Sequence, residues 1–466
     1  MAESLDGITW TKPELHVYNW NSSRANNIVV EAEGCFTFVD TNPSAPVQEA
    51  WKMVCSNAGA QLFTSPDGIR WEKVPSAPLS FGDDTQPTAM WDATIGKYVV
   101  FVRINIGGHD AGNRRHVGRC ITANLSDWES EKVGCEVVFA ADETDPPNLD
   151  VYTSVHVAYP SVLHPTTHLF FPSMYSHFAV GAGPPYELGN DGLIGTRLLA
   201  APNLSVAHLA YAADGSRSAF VDLGVNTCAS SSPLVKGGWC NLTDGSLART
   251  ATDTSGTWVA PGGYIPSANG EDLFLYYAGQ PYTHGSAAYT DGSFRNNTGI
   301  GLLRVRKDGF VAMESPYDFR SPAPSFTTHP IQLPGDGTGG SISSSGGNVS
   351  SLAAECAGRG QELQLVVNMI TSVAGYVAVE VLAADGEPRQ PGDARYAMSN
   401  ADRLKGNAIT AVVSWSWSEG AAGKTDRIST ISGWSGRSIT LRVELVDAKL
   451  FSIKVRCQEG AGVNLL

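Results

Sequence analysis

The chain has 466 residues, too many for one ordinary hydrophobic core, so its length predicts two domains. Only 17% of the residues are charged, while 49 glycines and 26 prolines supply many turns. This composition favours a β-protein of short strands and disfavours disorder and long helices. The formal net charge of -14 would repel a phosphate backbone, so we expect no nucleic-acid partner.

Short strand-like segments recur from the N-terminus onward, and each is closed by Gly, Asn, Asp or Pro. The clearest are CFTFVD (35–40), KYVVFVR (97–103), HLFFPSMY (168–175), DLFLYYAG (272–279) and GIGLLRVR (299–306). Because turn residues separate the segments at regular spacing, the pattern predicts an all-β fold.

The part of the chain that carries these segments is repetitive. Each unit has a strand with a polar start, followed by a hairpin with an apolar middle strand. The starts lie at Asn26, Asp84 and Asp150, and two further units begin near Gly192 and Val259. Five such units predict a five-bladed β-propeller, whose ligands bind where the innermost strands open onto the axis.

The pattern changes after the low-complexity stretch GDGTGGSISSSGGNVSS (335–351), which predicts a loop. The strands become longer and alternate cleanly, as in SITLRVELVDAKLFSIKVRC (438–457), and this alternation predicts a C-terminal β-sandwich. THPIQL (328–333) suits its first strand, so we place the boundary near residue 325 and predict a propeller over 1–325 and a sandwich over 326–466.

Eight cysteines fall into four couples along the chain. The expected disulfides are Cys35 with Cys55, Cys120 with Cys135, Cys228 with Cys240, and Cys356 with Cys457. Neighbouring strands of a hairpin would bring the local couples together, although the sequence does not prove the connectivity. No compact zinc-type spacing occurs, so we expect disulfides and no metal, with buried free thiols as the alternative.

The sequence also carries features of a secreted protein. Six Asn-x-Ser/Thr sequons lie at Asn21, Asn124, Asn203, Asn241, Asn296 and Asn348. Together with the paired cysteines they predict a secreted glycoprotein. The N-terminal MAESLDGITW lacks the apolar segment of a signal peptide, so we expect none in this chain. No apolar run is long enough for a membrane span, and no cofactor fingerprint is present, so neither is expected.

Several phrases carry a family resemblance. They are DGITWTKPEL (6–15), NNIV (26–29), the segment 84–103, RHVGRCITANLSDWE (115–129) and RKDGF (306–310). Over nearly its whole length the chain resembles the glycoside hydrolase family 32-like proteins. The resemblance implies a five-bladed propeller followed by a β-sandwich, and an extracellular protein that acts on or binds sugars.

The chain departs from family 32 at the catalytic motifs. The WMNDPNG-like, Arg-Asp-Pro and Glu-Cys motifs that carry catalysis in that family are absent. Asn26 and Asn27 stand at the start of the first predicted blade, where neither can act as a carboxylate nucleophile. We therefore predict that Asn27 binds substrate and look for the reacting groups elsewhere.

Glycosidic cleavage needs two carboxyl groups on opposite sides of the bond, one of them protonated. The catalytic candidates are Asp84 and Asp150 at strand starts, and Glu187 and Asp191 in the loop PPYELGNDG. For each of them the alternative is a structural role, because Asp in β-proteins most often caps a turn.

Two conspicuous acids are predicted to have only such a structural role. Asp6 in SLDGITW and Asp67 in SPDGIRW share the frame Ser-x-Asp-Gly-Ile-x-Trp, which resembles the Asp-box of propellers. In this turn the Asp accepts backbone N–H bonds, the Gly takes a positive φ and the Trp closes the base of the hairpin.

Basic side chains near the strand ends are the candidates for binding substrate. Arg103 ends the strand KYVVFVR and Arg119 lies in RRHVGRC, so both are predicted to bind hydroxyls or a carboxylate, with an interblade ion pair as the alternative. His177 in SMYSH and His284 in QPYTHG are predicted to orient a substrate hydroxyl, with plain loop histidines as the alternative.

The predicted function is a glycoside hydrolase that acts on an extracellular oligo- or polysaccharide through paired axial carboxylates, without cofactor or metal. Two alternatives stay open. One is a non-catalytic carbohydrate-binding or adhesion protein, which the asparagines of the first blade favour. The other is a sialidase-like enzyme, for which Arg103, Arg119 and Arg304 are the available arginines. The sequence makes no prediction about the oligomeric state.

Overall fold

The computed structural model describes most of the chain, and all statements on structure concern this part. The described residues are 1–56, 60–75, 85–106, 114–127, 133–159, 167–180, 187–201, 204, 208–209, 217–224, 234–235, 239–241, 247–249, 253, 255–285, 298–316, 322–333, 356, 359–385, 390, 392–419 and 424–458. They fall into two compact units, one formed by Met1–Tyr159 with Thr167–Arg304 and the other beginning at Val305.

The described residues are nearly all β, as the sequence predicts. Short 3₁₀ helices lie at Val47–Glu49, Asp393–Tyr396, Met398–Asn400 and Ser432–Trp434. No helix among them is long and apolar enough to cross a membrane.

Two four-stranded antiparallel sheets follow each other at the start of the first unit. The first contains β1 (Cys35–Val39), β2 (Trp51–Ser56), β3 (Ala60–Ser65) and β4 (Glu72–Lys73). The second contains β5 (Thr88–Asp92), β6 (Lys97–Ile106), β7 (Arg114–Thr122) and β8 (Cys135–Phe139). Both have the strand number and chain order of a propeller blade.

The remaining strands of the first unit form a nine-stranded and a three-stranded sheet. In chain order they are β9 (Leu149–Tyr159), β10 (Thr167–Val180), β11 (Glu187–Thr196), β12 (Leu199–Ala201), β13 (His208–Leu209), β14 (Leu234–Val235), β15 (Trp239–Asn241), β16 (Leu247–Arg249), β17 (Gly256–Val259), β18 (Ile265–Pro266), β19 (Asp272–Gln280) and β20 (Gly299–Arg306). The nine-stranded sheet is continuous only because β11 and β17 meet at the single pair Ile194–Gly256. It therefore consists of two strand groups joined by one ladder pair, with a further hydrogen bond from the Thr196 hydroxyl to the Thr257 carbonyl.

The apolar run of β6 explains the packing of the first unit. Tyr98, Val100 and Val102 lie in a core with residues of the first sheet, such as Val54. The alternate residues, including Phe101, lie in a second core with residues of β9 and β10. Because successive side chains point to opposite faces, a continuous apolar strand fills both cores, and β6 is held between two sheets.

The second unit is built on two long antiparallel strands. Its strands are β21 (Met313–Ser315), β22 (Ser325–Thr327), β23 (Ile331–Gln332), β24 (Leu363–Ala383), β25 (Asn407–Val412), β26 (Trp415–Glu419), β27 (Lys424–Ile428) and β28 (Ser438–Cys457). β24 and β28 pair along most of their length, and Trp415 and Trp434 fill the core beside them. β21 already pairs with β28, so this unit includes residues before 325, where the sequence places the boundary.

The two Ser-x-Asp-Gly-Ile-x-Trp turns have the predicted geometry. Asp67 Oδ1 accepts backbone N–H bonds of 2.8 and 2.9 Å, Gly68 has φ 74°, and the Trp71 indole donates to the Gly68 carbonyl at 3.0 Å. Asp6 and Gly7 repeat this arrangement, and the backbone N–H donors lower the pKa of Asp6 to about 2. Both carboxylates therefore serve as hydrogen-bond acceptors within their own turns.

Three of the four predicted disulfides are confirmed: Cys35–Cys55, Cys120–Cys135 and Cys356–Cys457. The first two join residues that lie opposite each other in the β1–β2 and β7–β8 pairs, as expected for neighbouring strands. The fourth couple involves Cys228, which lies outside the described residues.

The disulfides should differ in their contribution to stability. Cys356–Cys457 closes a 101-residue separation and Cys35–Cys55 a 20-residue separation. A disulfide that closes a longer loop removes more entropy from the unfolded chain. Replacing Cys356 and Cys457 by Ser should therefore lower the free energy of unfolding by about 1.4 kcal/mol more than replacing Cys35 and Cys55 by Ser. Denaturant unfolding of the two double variants measures this difference. Equal losses, or a larger loss for Cys35–Cys55, would contradict it.

A buried histidine pair should make the first unit acid-sensitive. His156 Nε2 lies 3.0 Å from His168 Nδ1, and the His156 ring packs against Phe101 and Phe170. Burial, reinforced by His168, lowers the pKa of His156 well below 6.5. The unfolded chain therefore binds a proton that the folded chain excludes, so stability is present above about pH 6.5 and falls below it, by up to about 1.4 kcal/mol per pH unit.

Unfolding measured as a function of pH tests this effect. His156→Gln should flatten the loss of stability below pH 6.5, whereas His329→Gln, at an exposed histidine, should leave it unchanged. A wild-type protein whose stability does not fall on acidification would refute the role of the pair.

Candidate functional site

Three strands of the first unit bring ionisable side chains together. Asp150 is the second residue of β9 and lies opposite Tyr175 on β10. His177 follows two residues later on β10, and Arg115 lies near the start of β7. Residues two apart on a strand share a face, so Tyr175 and His177 both lie beside the start of β9.

The two carboxylate oxygens of Asp150 have different surroundings. The side chain is 1% exposed. Its Oδ2 lies 3.1 Å from His177 Nε2 and accepts from the backbone N–H of Arg115 at 3.3 Å and from Arg115 Nη1 at 3.5 Å. Its Oδ1 is buried without a hydrogen-bond partner among the described residues. Oδ2 is thus fixed by its neighbours, whereas Oδ1 is buried and unsatisfied among the described residues.

His177 is held on both sides of its ring. It is 4% exposed, and its Nδ1 donates to the Gly189 carbonyl at 2.7 Å. The backbone is clamped too, because His177 N–H donates to the Asn148 carbonyl at 2.9 Å and the Asn148 side chain donates to the His177 carbonyl at 2.7 Å. The register between β10 and β11 shifts directly after His177, so the ladder is irregular where this ring is placed.

Arg115 connects this group to β11 and to two aromatic rings. Its Nη2 donates to Asn190 Oδ1 at 3.2 Å. The guanidinium carbon lies 5.3 Å from the Tyr175 ring centre and 5.9 Å from that of Tyr152, which is the range of a cation–π contact. Arg103 lies 5.6 Å from the same Tyr152 ring. Arg115 is therefore oriented by aromatic faces as well as by Asp150, and Arg103 by the face of Tyr152.

His284 bridges the two tyrosines. Its Nε2 lies 3.0 Å from the Tyr152 hydroxyl and its Nδ1 lies 3.2 Å from the Tyr175 hydroxyl. Burial raises the pKa of Tyr175; Arg115 lowers it, and the nearby Asp191 and Asp150 raise it further. Because both carboxyl groups act on this one ring, Asp150 and Asp191 lie in the same cluster.

Asp191 fixes the loop that carries His284. Its Oδ1 accepts the backbone N–H bonds of Gly192 at 2.8 Å and Gly285 at 2.9 Å. A Cβ atom on Gly285 would lie 2.4 Å from the Asn190 carbonyl oxygen, so the close approach requires glycine. Asp191 thus has a structural function that the sequence offers as the alternative to catalysis.

A pocket of about 440 Å³ lies beside Asp150, and Arg114, Arg115 and Asp142 contribute to its wall. Asp145, also in the wall, is buried against Arg197 at 2.8 Å and Arg217 at 2.6 Å. Asp145 is therefore held by two ion pairs, whereas Asp150, which also lines the pocket, has one buried oxygen without a partner among the described residues.

The structure gathers some of the sequence-predicted residues and not others. Asp150, Asp191, Arg103, His177 and His284 share the contacts described above. Asp84 lies outside the described residues, and for Glu187 only the backbone, at the start of β11, is described.

Three further predicted residues have partners elsewhere. The Asn27 side chain donates to the Met1 carbonyl. Arg119 donates to the Leu204 carbonyl at 2.7 Å and pairs with Glu136, and Arg304, 69% exposed, pairs with Asp272. The arginines considered for a sialidase-like site therefore have separate partners.

Sequence reasoning missed Arg115, Tyr152 and Tyr175. Arg115 opens the phrase RHVGRC, in which only Arg119 was predicted to bind. The tyrosines lie two residues after Asp150 and two residues before His177, and this spacing is the signal that places them on the same faces.

Comparison with known proteins found similarity only among solved structures. No family model and no curated protein matches the chain. A fructofuranosidase from Schwanniomyces occidentalis in complex with fructose is 9% identical, with 98% of this chain and 88% of that chain covered and a TM-score of 0.31. A putative glycoside hydrolase from Parabacteroides distasonis is 12% identical, with 56% and 72% covered and a TM-score of 0.29.

An α-L-arabinanase from Penicillium chrysogenum in complex with arabinobiose is similar to the same degree. It is 10% identical, with 58% of this chain and 76% of that chain covered and a TM-score of 0.28. Similarity at this level carries no argument about fold or chemistry. The function has to be argued from the side chains of this chain.

The structural function of Asp191 can be separated from a chemical one by two substitutions. Asp191→Asn keeps an acceptor oxygen for the Gly192 and Gly285 amides, whereas Asp191→Ala removes it. We expect Asp191→Ala to lower the free energy of unfolding by about 1–3 kcal/mol and Asp191→Asn to lower it less. Denaturant unfolding measures the loss, and hydrogen exchange at Gly285 locates it. Equal destabilisation by both substitutions would argue against the backbone contacts.

Proposed function

We propose that the chain is a glycoside hydrolase in which Asp150 is the ionised member of the catalytic carboxyl pair. The observation that carries this proposal is the unequal environment of its two oxygens. Arg115 is permanently cationic and lies against Oδ2, so it stabilises negative charge on the group. Oδ1, buried and without a partner among the described residues, is the atom that reacts.

In this proposal Asp150 acts as nucleophile in a retaining reaction or as base toward water in an inverting one. The second carboxyl group, which protonates the leaving oxygen, comes from Asp84, Glu187 or Asp191. Asp191 is the candidate whose side chain is described, and its proximity to Tyr175, which Asp150 also influences, supports this choice.

The surroundings of Asp150 suit a sugar ligand. The pocket volume of about 440 Å³ falls within the range of small-molecule sites. Arg114, Arg115 and Asp142, which line the pocket, offer hydrogen-bonding groups for hydroxyls, and the half-buried Tyr152 offers aromatic surface beside Arg115. The substrate class we propose is a neutral oligo- or polysaccharide, with Arg103, His177 and His284 helping to define its binding site.

The proposed architecture is the one that the sequence predicts. The four-stranded sheets β1–β4 and β5–β8 support a five-bladed family 32-like propeller, followed by a β-sandwich that begins at Val305 instead of the predicted residue 326. The three disulfides support an oxidising location, and we propose that the protein is secreted.

Asp150→Asn should lower kcat by about 10²–10⁴-fold, because the amide cannot react with the anomeric carbon or deprotonate water. Sugar release from a panel of oligosaccharides measures turnover, and circular dichroism verifies the fold. Asp67→Asn, which removes the same charge from a turn, should retain full activity.

Two results would overturn the proposal. The first is an Asp150→Asn variant with wild-type turnover. The second is a wild-type protein that binds a glycan but releases no sugar from any member of the panel, which would favour the carbohydrate-binding alternative.

A further inference from the structure

The pocket beside Asp150 contains one carboxylate that the fold does not use. Asp145 lies between two arginines, as described above, and Asp142 pairs with Arg217 at 2.8 Å. Glu143 lines the same pocket, and its exposed side chain has no ion pair or hydrogen bond among the described residues. Its carboxylate oxygens therefore remain acceptors for a ligand.

The backbone around Glu143 is fixed. The Asp145 N–H donates to the Asp142 carbonyl at 3.0 Å, and the Asp142 N–H donates to the Asp145 carboxylate at 3.1 Å, which closes a turn over 142–145. Asp142 Oδ1 also accepts the Thr144 N–H at 2.8 Å. Glu143 is the second residue of this turn, so little backbone ordering is needed when its side chain binds a ligand.

Arg114 is the corresponding unpaired cation of the pocket. It begins β7, is half-buried and lines the pocket. Its Nη1 donates to the Leu149 carbonyl at 2.9 Å and its Nη2 to the Pro147 carbonyl at 2.5 Å. Both acceptors are neutral, so the guanidinium has no carboxylate partner among the described residues. A guanidinium has more N–H groups than these two bonds use, so donors remain for a ligand.

This combination of groups suits the hydroxyls of a neutral sugar. A hydroxyl can donate to a carboxylate or accept from a guanidinium, so one sugar unit can satisfy both groups. A sugar carboxylate would meet Glu143 and Asp142 as like charges, and a sugar ammonium would meet Arg114 and Arg115 in the same way.

We propose that Glu143 is a specificity-determining residue of the site. Its carboxylate accepts hydrogen bonds from hydroxyls of the sugar unit in the pocket, and Arg114 donates to other hydroxyls of the same unit. This inference rests on the proposed glycosidase function. Glu143 recognises the substrate and takes no part in the chemical step.

Binding can be measured in the Asp150→Asn protein, in which the probe stays intact during a titration. Calorimetry with neutral tetrasaccharides of fructose, arabinose, xylose and mannose identifies the probe that binds. Adding Glu143→Gln should raise the Kd of that probe by about 10-fold, because hydrogen bonds to a charged acceptor are lost. Glu72→Gln, at an exposed acid of β4, should leave the Kd unchanged. An unchanged or lower Kd in Glu143→Gln, or no binding of any of the four probes, would overturn the proposal.

Deoxy analogues of the bound probe locate the contacts. For the analogue that lacks the hydroxyl bound by Glu143, Glu143→Gln should have no further effect on the Kd. The same comparison with Arg114→Lys identifies the hydroxyl bound by Arg114, since loss of the bonds to Pro147 and Leu149 would weaken all analogues equally. Losses that add for every analogue would refute the hydroxyl contacts.

An acidic probe tests the preference for a neutral sugar. A galacturonic-acid tetrasaccharide should bind more weakly than the neutral probe, and Glu143→Gln should lower its Kd because a like charge is removed. Tighter binding of this probe than of every neutral one would contradict the proposed specificity.

Kinetics separate recognition from catalysis. In a protein that retains Asp150, Glu143→Gln should lower kcat/KM by about 10-fold through KM, because the contact is made equally in the bound substrate and the transition state. A 10²-fold fall in kcat with an unchanged KM would make Glu143 a catalytic carboxyl group and overturn the specificity role.

Failure of this inference and failure of the proposed function give different results. A wild type that binds a neutral tetrasaccharide but releases no sugar removes the glycosidase function, while the contribution of Glu143 to the Kd stands. Sugar release with a KM that does not respond to Glu143→Gln removes only the inference.

Discussion

The structure of the candidate site depends on one buried carboxylate. A charge in a protein interior is costly unless it is paired and hydrogen-bonded. Asp150 meets this requirement on one oxygen only, through the backbone N–H and guanidinium of Arg115 on β7, with His177 on β10 beside the same oxygen. Three strands must therefore keep their relative positions for the charge to be tolerated, and removing either partner leaves Asp150 with less compensation.

The core supplies the rigidity that this pairing needs. β6 is buried on both faces, so it fixes its neighbour β7 in the sheet and also packs against β9 and β10. The ladder between β9 and β10 places Asp150 opposite Tyr175. Hydrogen bonds between Asn148 and His177 hold the backbone beside this pair. The Asp191 contacts then close the loop with His284 over the tyrosines. The position of each polar side chain is thus fixed by the strands that pack against it.

The sequence predicts much of this arrangement, and its errors have physical causes. The strand GIGLLRVR matches Gly299–Arg306, because turn residues bound a short β-rich run. The single long strand Leu363–Ala383 is not predicted, since a register shift between Thr371 and Tyr376 keeps both of its halves paired with β28. Such pairing depends on a distant strand, which a local pattern does not contain.

The site shows the same division between local and long-range information. Asp150, His177 and His284 follow from strand starts and ends, which are local. Arg115 was missed because its role depends on β9 and β10, and the backbone contacts of Asp191 depend on a glycine far along the chain. Arg103 lies over the Tyr152 ring, whereas Arg119 donates to the Leu204 carbonyl. The sequence does not distinguish these two roles, since both arginines lie in similar polar strand ends.

The unpartnered oxygen is the feature that distinguishes a reactive group from a structural one. Asp145 and Asp150 are both buried and both line the pocket. Asp145 has an arginine on each oxygen, so a ligand could bind it only by breaking an ion pair. Oδ1 of Asp150 has no such partner among the described residues, and an unsatisfied buried acceptor costs about 1–3 kcal/mol. In the proposed reaction a bound substrate would recover that cost at the reacting atom, which is a physical reason for the fold to retain it.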